Sequence, residues 1–190
     1  GTVLIPHIGL IENSGYIYYT KFASDLSFNK LTIFSPSSGG GVIIADIDIP
    51  TSTNTNVDNI IYNSTSNQFF ITTVIFGTST LPNKEELFVV DNFGYYSVRK
   101  IAEFTPLSSP TYGYQSIQPE ISITGNTLNY VFNNTQRQLS VNKYDITTEL
   151  FINSIDLDIT PATNPTSGFW RGWRFNMLDD NTDNLTLIFE

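Results

Sequence analysis

Apolar and polar residues alternate along most of the chain in short runs, each bounded by Gly, Asn, Ser or Pro. Alternation with a period of two is typical of a β-strand with one buried face, and the bounding residues are those that tight antiparallel turns require. Alanine, the best helix former, occurs only four times. The pattern therefore predicts an all-β fold.

The predicted strands recur in one order: a strand, a short turn, a strand, a longer loop, a strand, a turn and a closing strand. This order predicts three blades of four strands over residues 8–50, 59–105 and 120–160, and a partial blade over 173–190. The residues matched after the first turn are Tyr16, Gln68, Leu128 and Leu185, with spacings of 52, 60 and 57.

These segments resemble the YVTN-type and related β-propeller repeats. The residues that carry the resemblance are Tyr16–Thr20 with Leu31–Phe34, Phe69–Thr72 with Leu87–Asp91, and Leu128–Phe132 with Leu139–Asp145. The resemblance implies antiparallel four-stranded blades. A β-sandwich or jelly roll, which also has short strands at regular intervals, is the alternative. The matched order of short and long loops favours the propeller.

About three and a half blades cannot close a ring by themselves. The chain, a single all-β domain or fragment over 1–190, is therefore expected to belong to a longer protein, to pair with a second copy, or to be completed by a different chain. Open sheet edges are expected at Thr2–Ile5 and Asn184–Phe189, where strand addition would lead to self-association.

Composition narrows the classes of partner and compartment. Only 14% of the residues are charged, the net charge is −9 and there is no Cys. The acidic balance disfavours nucleic acid, and no apolar run is long enough to span a membrane. A surface rich in Asn, Ser and Thr favours a secreted, extracellular or virion-surface protein, with Gly1 as a processed end.

The sequence offers no catalytic set. His7 is the only histidine, and nothing in the sequence places an Asp beside it, as a Ser-His-Asp triad requires. Asp46 with Asp48 and Asp156 with Asp158 share strand faces, where charges that protect a sheet edge are favoured over a glycosidase pair. We expect a protein that is not an enzyme, unless the chain is a fragment whose catalytic residues lie partly elsewhere.

One segment suggests a binding surface. It brings together both tryptophans and two of the few arginines, Trp170, Arg171, Trp173 and Arg174. Such side chains stack on sugar rings or anchor protein interfaces. The alternative is that Trp173 alternates inward with Phe175 as part of the core of the partial blade and that Trp170 packs the entry loop.

Two further patterns concern ions and glycans. Asp179, Asn181 and Asp183 mimic the first three ligands of a calcium loop, but the following Gly and the twelfth-position Glu are missing, so a plain turn is favoured. No other cofactor is expected. Asn63, Asn133 and Asn184 begin N-x-S/T sequons, which predict glycosylation of a secreted protein.

These patterns together predict a non-enzymatic recognition or assembly module that binds a protein or a glycan. A structural subunit of a filament or capsid that uses strand addition, and a lectin-like carbohydrate-binding propeller, are the alternatives.

Overall fold

The structure is a computed structural model that describes residues 7–12, 14–22, 29–37, 40–51, 55–75, 84–104, 120–135, 138–158, 175–179 and 185–189. These residues form fourteen strands. They are β1 (Ile8–Ile11), β2 (Tyr16–Phe22), β3 (Asn29–Ser35), β4 (Val42–Ile49), β5 (Thr55–Asn63), β6 (Gln68–Ile75), β7 (Lys84–Asp91), β8 (Val98–Phe104), β9 (Glu120–Thr124), β10 (Thr127–Thr135), β11 (Gln138–Asp145), β12 (Phe151–Asp158), β13 (Phe175–Asp179) and β14 (Leu185–Phe189).

The strands form three four-stranded sheets and one two-stranded sheet. The first sheet has the order β1-β2-β3-β4, the second β5-β6-β7-β8, the third β9-β10-β11-β12, and the fourth pairs β13 with β14. Within each sheet, every described strand therefore pairs with its neighbours in sequence, an order that a Greek-key sandwich does not give. The predicted fold class, antiparallel four-stranded sheets with the topology of propeller blades, is confirmed.

The first hairpin of each sheet shows how closely the repeats match. The residue pairs that close these hairpins are Ile11 with Tyr16, Asn63 with Gln68, Thr124 with Thr127, and Asp179 with Leu185. The matched residue of the third sheet is thus Thr127, and the assignment of Leu128 was wrong by one position. The reason is the two-residue turn, which is shorter than the four-residue turns of the first two sheets.

The first hairpin turn of each of the three four-stranded sheets contains a residue with positive φ. Gly15 has φ 71°, Asn67 has φ 52° and Gly125 has φ 55°. Gly125 is the first residue of the two-residue turn, where a type II′ hairpin requires positive φ and therefore favours glycine.

The chain divides into two compact units. The first consists of Gly1–Ile75 and Glu86–Ala102, and the second of Phe76–Glu85 and Glu103–Glu190. The core of the first unit lies between the first two sheets, where the Tyr18 and Phe69 rings meet edge to face with centroids 5.2 Å apart. The first sheet contributes Ile11, Tyr18, Leu31, Ile33, Ile47 and Ile49, and the second Phe69, Ile71, Phe88 and Val90.

The second unit has buried apolar residues of its own. Its buried side chains include Ile121, Leu128, Tyr130, Val131, Val141, Tyr144 and Ile146. All but Ile146, which follows β11, come from β9, β10 and β11. Tyr130 and Val131 are adjacent and both buried, so both faces of β10 are covered.

The outer strands of the first and third sheets share an irregularity. Ile33 pairs with Ala45 and Phe34 with Ile43, so Ile44 is an extra residue in β4. The third sheet repeats this bulge, with Ile152 as the extra residue in β12. A bulge bends and twists an edge strand, which hinders pairing with a further strand.

Candidate functional site

Most of the ligand-binding residues proposed from sequence lie outside the described residues. This applies to Trp170, Arg171, Trp173 and Arg174. Of the calcium-like loop, Asp179 ends β13, whereas Asn181 and Asp183 lie outside the described residues. Both sites stay predictions. Within the described ranges, no group of three or more His, Asp or Glu side chains is placed to hold a metal ion.

The sequon asparagines differ in their setting. Asn63 ends β5 and is buried, and its Oδ1 accepts hydrogen bonds from the backbone N–H groups of Thr65 at 2.9 Å and Ser66 at 3.4 Å. Asn63 therefore holds the turn into β6. Asn133 lies within β10, and Asn184 lies outside the described residues. Glycosylation of all three stays a prediction.

The paired acids of β4 are engaged in ion pairs. Lys21 Nζ lies 2.9 Å from Asp46 Oδ1, and Lys30 Nζ lies 3.6 Å from Asp46 Oδ2 and also contacts Asp48. Thr32 donates a 2.6 Å hydrogen bond to Asp46. Two lysines and two aspartates thus neutralise one another.

The pKa of Asp46 argues against a role as a general acid. Burial raises this pKa, but the hydrogen bonds from Thr32 and Lys21 and the charges of Lys21 and Lys30 outweigh it, so the pKa lies below its ordinary value. A glycosidase acid needs a raised pKa. The arrangement instead supports the edge-protecting role expected for these side chains. In the third sheet, Ser140 donates to Asp156 in the same cross-strand manner.

A polar network fixes the turn that follows β7. Asn92 N–H donates to the Asn67 carbonyl at 3.0 Å, and Asn92 Nδ2 donates to Asn67 Oδ1 at 2.9 Å. Tyr62 Oη donates to the same oxygen at 2.7 Å. This turn presents Phe93 and Tyr95, which are both exposed. Two aromatic rings are therefore displayed on a turn that the preceding hairpin holds in place.

The outer strands of the first and third sheets carry an exposed apolar triplet at the same position of the repeat. The triplets are Val42-Ile43-Ile44 and Leu150-Phe151-Ile152, and all six residues are exposed. Each triplet ends at the bulge described above, and Ile43 and Phe151 pair with the aromatic residues Phe34 and Tyr144. The repeated triplet is the most consistent surface feature of the described residues.

Sequence reasoning missed these triplets, although a signal was present. Each is a run of three consecutive apolar residues at the start of an outer strand, where strict alternation predicts one polar residue in the middle. The run marks the extra residue of a bulge.

The single histidine lies at the start of the first sheet. The His7 backbone N–H donates to Thr20 Oγ1 at 3.2 Å, and its carbonyl accepts from Thr20 N–H at 2.9 Å. Burial lowers the pKa of His7, and a hydrogen bond with the Val57 backbone opposes this in part. Burial therefore favours the neutral imidazole, which suits a structural role.

The strand order and pairing define an all-β protein made of four-stranded antiparallel meanders of the propeller-blade type. No described helix is long and apolar enough to cross a membrane.

Among solved structures, the chain is similar to a candidate 6-phosphogluconolactonase from Bacteroides uniformis, with a TM-score of 0.49 and 18% sequence identity. The similarity covers 81% of this chain and 41% of that chain, so the present chain spans less than half of that protein's length. No protein-family model matches the chain, and no curated protein sequence matches it. The fold assignment therefore stands on the strand pairing itself.

Proposed function

We propose that this chain is a non-enzymatic recognition and assembly module of an extracellular or virion surface, and that it binds a protein partner. The observation that carries this proposal is the exposed apolar triplet repeated in β4 and β12. Single exposed apolar residues are common on protein surfaces, whereas contiguous patches are typical of interaction sites.

The energetics favour burial of the triplets in a complex. Fully burying one large apolar side chain contributes roughly 1.5–3 kcal/mol, and the triplet residues, which are 44–66% exposed, gain part of that when they are covered. The bulges at Ile44 and Ile152 disfavour the addition of a regular strand at these edges. We therefore propose contact through side chains at β4 and β12.

The test compares capture of proteins from the native surroundings by the wild-type chain and by Ile43→Asp and Phe151→Asp. Leu10→Asp is the matched control, because it places the same charge on an exposed apolar residue outside the triplets. A partner that is lost with both triplet variants and retained by the control supports the proposal. If both triplet variants capture the same proteins as the wild-type chain, the proposal is wrong.

A lectin-like function is the second candidate, and the exposed Phe93 and Tyr95 support it. Aromatic rings on a fixed turn can stack on sugar rings without a large ordering cost. A glycan array should then give signals that Tyr95→Ala or Trp170→Ala removes. Equal signals from the wild-type chain and both variants would argue against glycan binding at these residues.

A structural subunit that assembles by strand addition stays an alternative. It predicts concentration-dependent assembly that a proline within Leu185–Phe189 abolishes, because proline removes a backbone donor. Its edges at Thr2–Ile5 and β14 differ from the triplets, so the two proposals are tested separately.

A further inference from the structure

The core of the first unit ends in buried polar side chains. Thr73 follows Ile71 by two positions along β6, so its side chain lies on the face of the second sheet that packs against the first. Glu86 of β7 lies on the same face, because it alternates with Phe88 of the core. Thr73 is 0% exposed and Glu86 is 6% exposed.

The pairing of β6 with β7 brings these two side chains together. The strands are neighbours in the second sheet, and Gln68 Nε2 of β6 donates to Asp91 Oδ1 of β7 at 3.0 Å. A regular antiparallel ladder counted from this pair, from 68 to 73 on β6 and from 91 to 86 on β7, places Thr73 opposite Glu86. A hydroxyl and a carboxylate therefore lie side by side in a buried position.

Thr55 brings a third polar side chain to this end of the core. It lies two positions before Val57, which pairs with Thr73 and packs against the core, so Thr55 shares their face. Thr55 is 2% exposed. Asn29 Nδ2 of the first sheet donates to the Thr55 carbonyl at 2.9 Å. The polar end of the core is therefore also a place where a hydrogen bond joins the two sheets.

Each of these three side chains has a buried atom to which no group in the described part of the chain hydrogen-bonds. The atoms are Thr55 Oγ1, Thr73 Oγ1 and Glu86 Oε2. Two hydroxyl donors and a carboxylate acceptor thus share one face without bonding one another. Buried polar groups are nearly always hydrogen-bonded, because losing their bonds to water without replacement is costly. A small group that accepts from a hydroxyl and donates to the carboxylate would satisfy them.

The charge at the site favours a neutral ligand. Lys100 Nζ lies 3.0 Å from Glu86 Oε1, so an ammonium group already balances this carboxylate. A cation would add uncompensated positive charge in a buried position. Within the described ranges, no cluster of three or more His, Asp or Glu side chains is placed to hold one. Water is neutral, both donates and accepts, and commonly bridges buried polar groups.

We propose that the first unit binds ordered water at this site, where a water molecule donates to Glu86 Oε2 and accepts from the Thr73 hydroxyl, with the Thr55 hydroxyl as a further partner. The water connects the ion pair of Glu86 with Lys100 to β5 and β6, beside the hydrogen bond from Asn29. It is a structural part of the joint between the first two sheets, a role separate from the partner binding proposed for the triplets.

A crystal structure and a count of internal waters test the site directly. In the wild-type chain, density for a water should lie about 2.7–3.2 Å from both Thr73 Oγ1 and Glu86 Oε2. Magnetic relaxation dispersion of the water signal counts long-lived internal waters, and the count should fall by at least one in Thr73→Val. Thr32→Val is the matched control, since Thr32 is equally buried but donates to Asp46 at 2.6 Å, and it should keep the wild-type count.

Stability provides an independent measurement, because the sign of the change differs with and without the water. If water bridges Thr73, Thr73→Val leaves the water and Glu86 with fewer hydrogen bonds and should lower the Tm by about 2–4 °C. If nothing bonds this hydroxyl, its removal relieves a buried polar group and the Tm should rise. A raised Tm or an unchanged water count in Thr73→Val overturns the inference.

The wild-type crystal structure keeps the inference falsifiable even where Thr73→Val fails to fold. A direct hydrogen bond between Thr73 and Glu86 would overturn it, since no bridging ligand would then be needed. Density with several oxygen contacts at about 2.4 Å would also overturn it, because that geometry indicates a bound cation.

Discussion

Asp91 and Arg99 form a two-point ion pair between neighbouring strands of the second sheet. Arg99 Nη1 lies 2.6 Å from Asp91 Oδ2, and Arg99 Nη2 lies 3.0 Å from Asp91 Oδ1. Gln68 Nε2 donates to Asp91 Oδ1 at 3.0 Å, so one carboxylate joins side chains of β6, β7 and β8. The Arg99 hydrogen bond lowers the pKa of Asp91, and it outweighs the opposing effect of burial.

Replacing Arg99 with Lys should destabilise the fold although the charge is kept. An ammonium group cannot supply the planar pair of donors that the guanidinium gives. Because the pair is partly exposed, we expect a loss of about 1 kcal/mol in the free energy of unfolding. Denaturant unfolding at pH 7 measures this loss. Lys143→Ala, a change to a basic residue of β11 that is not part of this ion pair, is the control and should lose less stability. Equal stability of Arg99→Lys and the wild-type chain would contradict a two-point contact.

Asp91→Asn should show a pH-dependent loss of stability. The pKa of Asp91 is lower in the folded than in the unfolded state, so its carboxylate stabilises the fold above the unfolded pKa, and this is lost as the pH falls through the folded pKa. The gap in unfolding free energy between the wild-type chain and Asp91→Asn should therefore be present at pH 7 and shrink in acid. If the difference in unfolding free energy grows on acidification, the pKa of Asp91 is not lowered by folding and the prediction is wrong.

The ring of Tyr18 occupies the space that a side chain at position 9 would need. A Cβ added to Gly9 would lie 2.3 Å from Tyr18 Oη, and Tyr18 is buried. Gly9→Ala should cost about 1–3 kcal/mol, the usual range for overpacking. Chemical denaturation of Gly9→Ala, Tyr18→Leu and the double variant measures this. The double variant should lose less than the sum of the single losses, whereas additive losses would show that the two residues do not compete for space.

Most strands could be predicted because period-two alternation and turn residues act locally. The run Leu139–Asp145, on which the predicted repeat rests, lies within β11 (Gln138–Asp145). The second blade was predicted to begin at residue 59, whereas β5 begins at Thr55, and Thr55–Val57 pairs with β6 beyond an irregularity at Asp58. An extra residue in one strand changes the pairing without changing composition, so sequence alone does not reveal it.

The buried acids of β7 could not be predicted in the same way. Glu85 and Glu86 precede an apolar run and suggest a solvated strand end, yet both are buried. Glu86 is paired with Lys100 of β8 at 3.0 Å, and Glu85 accepts a hydrogen bond from Tyr130 of the third sheet. The partners lie 14 and 45 residues away along the chain, and only the tertiary fold brings them together.

His7 should make the chain less stable in mild acid. Burial lowers the pKa of its imidazole below 6.5, so the unfolded state binds the proton more readily. The stability that the neutral ring contributes is present above the unfolded pKa and is lost as the pH falls through the folded pKa. Since this is the only histidine, NMR titration of the wild-type chain reads one midpoint, which should lie below 6.5. His7→Gln should show a smaller loss of stability between pH 7 and pH 5, and an unchanged pH dependence would contradict the assignment.

Tyr130→Phe should destabilise the second unit through Glu85. Both residues are fully buried, and the Tyr130 hydroxyl donates to Glu85 Oε2. Removing the donor leaves a buried carboxyl with one hydrogen bond fewer, at a cost of about 1–3 kcal/mol. Glu85→Gln keeps an acceptor for the same hydroxyl and should cost less than Tyr130→Phe. Adding Tyr130→Phe to Glu85→Gln should then have a smaller effect than in the wild-type chain. Denaturant unfolding of the four proteins completes the cycle, and a coupling energy of zero would show that this hydrogen bond does not stabilise the fold.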